Sequence, residues 1–129
     1  MCLKNTRESN IDGEINGYKV FIQRDNGSLH SIKKEFDNHN YQVGNFYSIE
    51  EYGFFVFYDK DDAGKFASFV DKLNNGKNDG KLVDGKAVIK QVKCNNVIVE
   101  GYQGLNTKEV VTKVDKPANA FRCLSIKIL

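Results

Sequence analysis

A chain of 129 residues is long enough for one hydrophobic core and too short for two domains of ordinary size. Hydrophobic residues at 40% against 28% charged give a globular balance that excludes wholesale disorder, and no apolar run approaches the roughly 20 residues of a membrane helix. A formal net charge of +2 is too small to imply nucleic acid by itself, and Cys2, Cys94 and Cys123 form neither a complete set of disulfides nor a C-x-x-C site.

The polar start, "MCLKNTRESNIDGE", has no apolar stretch of the kind a signal peptide or anchor needs, so the expectation is a soluble cytoplasmic protein. Residues 1–16 read as a flexible N-terminal arm and 17–129 as a single domain. Order is expected from Gly17, where "GYKVFIQ" alternates as a half-buried strand with Tyr18, Val20 and Ile22 on one side. Phe21 breaks the polar side that Lys19 and Gln23 share. Asn26-Gly27 then signals a tight hairpin turn whose central positions need positive φ, with "SLHSI" returning as the second strand.

"KKEFDNHN" reads as loop, and "YQVGNFYSI" as an extended segment bent at Gly44. In "GFFVFY" both parities are apolar: Phe54, Val56 and Tyr58 point one way, Phe55 and Phe57 the other. Such a strand is central and covered on both sides. Next, Ala63, Phe66, Ala67, Val70 and Leu73 recur at helical spacing, Asp59 or Asp61 suits the cap, and Asn74-Asn75-Gly76 ends the helix.

The glycine-rich stretch from Gly76 to Lys86 reads as a mobile loop. "AVIKQVKC", a turn at Asn95-Asn96 and "VIVEGY" read as a second hairpin, followed by a strand at "VVTKV". In "FRCLSIKIL", Leu124, Ile126 and Ile128 point inward. The sum is an α+β domain: a mainly antiparallel sheet of about seven short strands, open to a two-layer arrangement, with one principal helix after the third or fourth strand.

Chemistry-bearing motifs are sparse. His30 and His39 have no ligand-spaced companions, and no phosphate loop or nucleophile elbow occurs, so neither a metal nor a cofactor is expected. Lys77, Lys81, Lys86, Lys90 and Lys93 form a basic run diluted by Asp79 and Asp84, which leaves nucleic acid a minor possibility. Glu100 stands on a strand among apolar neighbours, where burial would raise its pKa toward that of a catalytic acid or base; the plainer reading pairs it with Lys90.

"GFFVFYDKDDAGKFASF", with Ala63, Phe66 and Ala67 in an A-x-x-F-A pattern, resembles the strand–helix segment of small ADP-ribosyltransferase-like domains. "AVIKQVKCNNVIVEG" is similar to the strand pair that follows in them. The resemblance implies an enzyme using NAD, with Glu100 (or Glu109) as its catalytic carboxylate and Tyr58 stacking on nicotinamide. "GYKVFIQ" departs from that family, offering Lys19 where a first-strand His or Arg would hold the nucleotide. The order of segments from Gly17 to Gln103 also resembles uncharacterised small domains of phages and large DNA viruses.

The leading expectation is therefore a small non-enzymatic binding protein of a phage, prophage or virus that occludes a host macromolecule, such as a component of host defence. Its contacts are expected from Tyr47, Tyr52, Tyr102, Lys77, Lys81 and Lys86, because tyrosines and charged loops are common interface materials. The alternatives are the NAD-using enzyme and a small-nucleotide sponge whose loop amides and lysines hold phosphates. Oligomeric state is open.

Overall fold

The computed structural model describes residues 3–9, 11–37, 40–49, 53–76, 80–105 and 117–129. The strands are β1 (Lys4–Glu8), β2 (Ile15–Gln23), β3 (Leu29–His30), β4 (Phe46–Ser48), β5 (Phe54–Phe57), β6 (Lys86–Tyr102) and β7 (Ala120–Ile128). One α-helix, α1 (Lys60–Asn75), lies between β5 and β6, and a 3-10 turn covers Lys34–Phe36. The α+β class is as expected. The helix follows the fifth strand, because β1 forms within the polar arm and adds one strand to the count.

The sheet closes on itself. β2 pairs with β6 along its full length, from Ile15 opposite Cys94 to Gln23 opposite Lys86. β6 also pairs with β7, β7 with β5, and β5 returns to β2 through the single pair Tyr18–Phe57. The result is a ring of four strands with one weak seam, β2 against β5, and β1, β3 and β4 as extensions.

Closure gives the sheet an inside and an outside. Phe21, Phe54, Val56, Val92, Cys94 and Phe121 fill the interior. Val20, Ile22 and Phe57 point outward, where Ala63, Phe66 and Val70 of α1 cover them. Phe66 packs on Phe57 at 5.2 Å and on Phe55 at 5.8 Å between ring centroids. Each wholly buried phenylalanine contributes about 2–3 kcal/mol by removal from water. The doubly apolar "GFFVFY" is thus central, one parity facing the ring interior and the other the helix. Asp59 caps α1 by accepting from the Asp61 amide at 2.7 Å.

At the seam the strands need a residue without a side chain. A Cβ on Gly17 would lie 2.4 Å from Val56 Cγ1 and 2.9 Å from the Phe57 carbonyl oxygen. Beyond the Tyr18–Phe57 pair β2 and β5 form no further ladder, and β2 turns to β3 instead.

Several local expectations change. The second hairpin is one continuous 17-residue strand, β6, and Asn95-Asn96 lies within it. Asn96 alone takes a positive φ, 58°, where a two-residue turn needs two such positions. The ladder to β7 keeps its register through the Asn pair, to Val97 opposite Cys123, and shifts between Val97 and Val99, so the strand runs on through the pair and the bulge follows it. Across the Asn95–Ser125 pair both strands switch inward parity: Cys94 and Ile126 point in on one side, Cys123 on the other. Leu124 is only half-buried, unlike Ile126 and Ile128.

The first hairpin forms, with only Gly27 at positive φ (86°) and its amide donating to the Arg24 carbonyl at 2.8 Å. The arm supplies β1 because β6 runs past the end of β2, and its remaining edge, Val99 to Tyr102, takes Glu8 to Lys4. β2 itself begins at Ile15, two residues before Gly17. The strand expected at "VVTKV" lies outside the described residues. Among the described residues no helix is long and apolar enough to cross a membrane.

Candidate functional site

The parting of β2 and β5 opens a cavity of about 330 Å³ beneath the segment that carries the 3-10 turn. Its walls are Ile32, Phe36, Ile49, Phe54, Phe55 and Phe66. Lys19, Lys33 and Arg122 bring positive charge, and Gly53, Ser31, Tyr41 and Glu35 complete the lining. Gly53 must be glycine there: its φ is 74°, and a Cβ would lie 2.9 Å from the Cys123 carbonyl oxygen.

Lys19 is the unusual member. On β2 it shares the inward parity of Gly17 and Phe21, so its side chain enters the ring, and the residue is 8% exposed. Its Nζ donates to the Phe55 carbonyl at 3.0 Å, across the seam where β2 offers β5 no backbone pairing. The rings of Phe21 and Phe54 lie 5.5 and 5.9 Å from the ammonium. Burial pulls its pKa down from 10.5 to about 8, against the neighbouring thiols Cys123 and Cys94, which favour its charge. Among the described residues no carboxylate forms an ion pair with it.

Cys94 and Cys123 are free and buried beside this amine. The hydrogen bond to Cys123, then burial, pushes the Cys94 thiol up, so Cys94 keeps its proton. The same hydrogen bond from Cys94, with Lys19 nearby, holds the Cys123 thiol below its ordinary range against the effect of burial.

The residues singled out in the sequence are distributed differently. Glu100 and Tyr58 do meet: the Tyr58 hydroxyl donates to Glu100 Oε2 at 2.6 Å. Arg7, opposite Glu100 across the β1–β6 pair, binds Oε1. The Tyr58 bond, then Arg7, hold the Glu100 carboxyl below its ordinary range against the effect of burial. Burial, then Glu100, push the Tyr58 hydroxyl up. The raised carboxyl pKa expected for a catalytic acid is therefore reversed, and the partner is Arg7, not Lys90. Both oxygens of Glu100 are occupied, and neither Glu100 nor Tyr58 lines the Lys19 cavity.

Of the expected contact residues, Tyr102 is buried at 6% exposure, at the end of β6 that pairs with β1. Tyr47 is half-buried, packs edge-on against Tyr41 at 4.8 Å, and its hydroxyl accepts from the Gln42 amide at 2.7 Å. Lys81 and Lys86 are exposed. Tyr52 and Lys77 lie outside the described residues.

His30 stands between Ser28 Oγ, 2.8 Å from Nε2, and Asp37, whose Oδ2 is 3.0 Å from Nδ1. That order matches a hydrolase relay, but the surroundings do not. Ser28 Oγ is also 2.6 Å from Asn26 Oδ1, which takes the Ser28 amide too, and the Gly27 amide is bound to Arg24. The nearest backbone donors an oxyanion would need are thus committed. The trio fastens the β2–β3 turn to the segment after it. Among the described residues no group of three or more His, Cys, Asp or Glu could hold a metal ion.

Comparison of the chain with protein-family models, curated proteins and solved structures found no match.

Lys19→Met should raise stability at pH 7, because relief of a buried charge that pairs with no described carboxylate outweighs loss of the Lys19 bond to the Phe55 carbonyl. In the native protein Lys19 releases its proton near pH 8, and in the unfolded chain near 10.5. Between those values the unfolded chain binds more protons, so the Lys19 contribution grows more favourable as pH rises, by on the order of 3 kcal/mol in total. Cys94, which keeps its proton when folded, works in the opposite sense, while Cys123, held below its ordinary range by Cys94 and in part by Lys19, works in the same sense as Lys19 and adds to it in the parent. The stability gap between variant and parent, from urea melts at pH 7 and pH 10, should therefore narrow with pH; a constant gap would contradict the assignment.

Proposed function

We propose that the protein is a non-enzymatic binding protein and that the cavity over Lys19 is its ligand site. The observation that carries this reading is a buried ammonium at an apolar, aromatic-walled cavity whose size suits a small molecule. Concave apolar sites with a few convergent polar groups are the usual form of ligand pockets. An NAD-dependent transfer has less support, since its expected carboxylate is tied to Tyr58 and Arg7 away from this cavity.

Screening fragments by two-dimensional amide NMR tests the proposal without altering the chain. Bound fragments should shift the amides of Ile32, Phe54 and Phe55 most strongly. A diverse set that leaves those three amides unmoved would contradict it.

Occlusion of a host protein, as a phage or viral inhibitor would act, is a second reading supported by a different surface. The Gly44 amide binds the Ile128 carbonyl at 2.6 Å, and Phe46 pairs with Lys127. These contacts bring Val43, Phe46 and Leu129, exposed by 58%, 63% and 46%, to the same edge of the sheet. Phe46→Asp should abolish capture of such a partner from host lysate, whereas capture indifferent to this change would count against that surface.

A further inference from the structure

We propose that the ligand of the Lys19 cavity is a small organic anion with an apolar body, its acidic group seated on the Lys19 ammonium. This rests on the reading of the cavity as the binding site and adds the chemical class of what binds.

Among the described residues, charge around the cavity is one-sided. Lys19, Lys33 and Arg122 line it against one described acid, Glu35, which is mostly exposed and lies 3.9 Å from Lys33. An ammonium has three N–H donors, and the Phe55 carbonyl takes one of Lys19's. The phenyl faces at 5.5 and 5.9 Å give only weak compensation. A buried cation in this state is costly, and a counter-ion delivered from solution relieves that cost. Charge-assisted hydrogen bonds are about twice as strong as neutral ones, and the apolar walls weaken their competition with water.

The same walls set the rest of the molecule. Ile32, Phe54, Phe55 and Phe66 reward a flat or aliphatic hydrocarbon body and offer little to a sugar. A cavity of about 330 Å³ sits at the lower end of small-molecule sites, which span about 300–1,000 Å³. A dinucleotide is too large to enter it whole. Free inorganic phosphate would satisfy the charge but leave the walls unfilled.

Calorimetric titration of benzoate, indole-3-acetate and hexanoate, each against its own amide, and of inorganic phosphate tests the assignment. At pH 7 at least one acid should bind about tenfold or more tightly than its amide, as expected for one charged hydrogen bond, and phosphate should bind more weakly than that acid. The preference should vanish in Lys19→Met, shrink in Arg122→Gln, and fall as the pH is raised above about 8, where the empty site loses its proton. Should Lys19→Met not fold, the pH series on the unaltered chain decides alone. Amides that bind as well as acids, or an acid preference that survives Lys19→Met, would overturn the anion assignment while leaving the cavity reading intact. No binding by any acid, amide or screened fragment would remove both.

Discussion

The bond from the Lys19 ammonium to the Phe55 carbonyl is the contact on which the functional architecture turns. Four strands close a ring, but the last closure is a single residue pair, Tyr18 with Phe57, made close by Gly17. Past that pair the two strands part. A backbone carbonyl at such a place needs a donor, and the chain supplies one from a side chain that enters the ring and not from the neighbouring strand. The cost is a desolvated charge; the gain is a seam that stays open enough to leave a cavity and remains chemically satisfied on its inner side.

β6 and α1 support this seam from either side of it. β6 runs 17 residues and serves three neighbours: β2 over its first half, β1 at its end, and β7 along the opposite edge. The register shift between Val97 and Val99 falls where β6 passes from β2 to β1. From outside, α1 presses Phe66 against Phe55 and Phe57. Phe66 also lines the cavity, so the helix is both roof of the core and wall of the proposed site. Arg7, Tyr58 and Glu100 act elsewhere, pinning β1 to β6 and to the residue that follows β5.

What was legible in the sequence follows from how local each signal is. The phenylalanine-rich strand and the helix after it were readable because the apolar pattern on both parities, then at helical spacing, fixes burial without knowledge of any partner. Asn95-Asn96 was misread because turn residues report backbone preference, while continuity of a strand depends on neighbours far along the chain. β1 was missed for the same reason: "KNTRE" has no apolar face, and it forms where β6 offers a vacant edge. Lys19 was placed on a polar face because lysine and glutamine share its parity. Phe21, the residue that broke that pattern, and Gly17 carried the signal that the face points inward, but only ring closure shows which side of a strand is inside. The meeting of Tyr58, Glu100 and a base was half visible; that Arg7 completes it was hidden in the arm.

The central claim is that the Lys19 amine lies inside the ring, out of water and without a carboxylate partner among the described residues. Its most direct test is a pH titration of the Lys19 side-chain ¹³Cε and ¹⁵Nζ signals with selective labelling. The account predicts a midpoint near 8, with Overhauser contacts from the Lys19 methylenes to the rings of Phe21 and Phe54. A midpoint near 10.5 with no such contacts would contradict it.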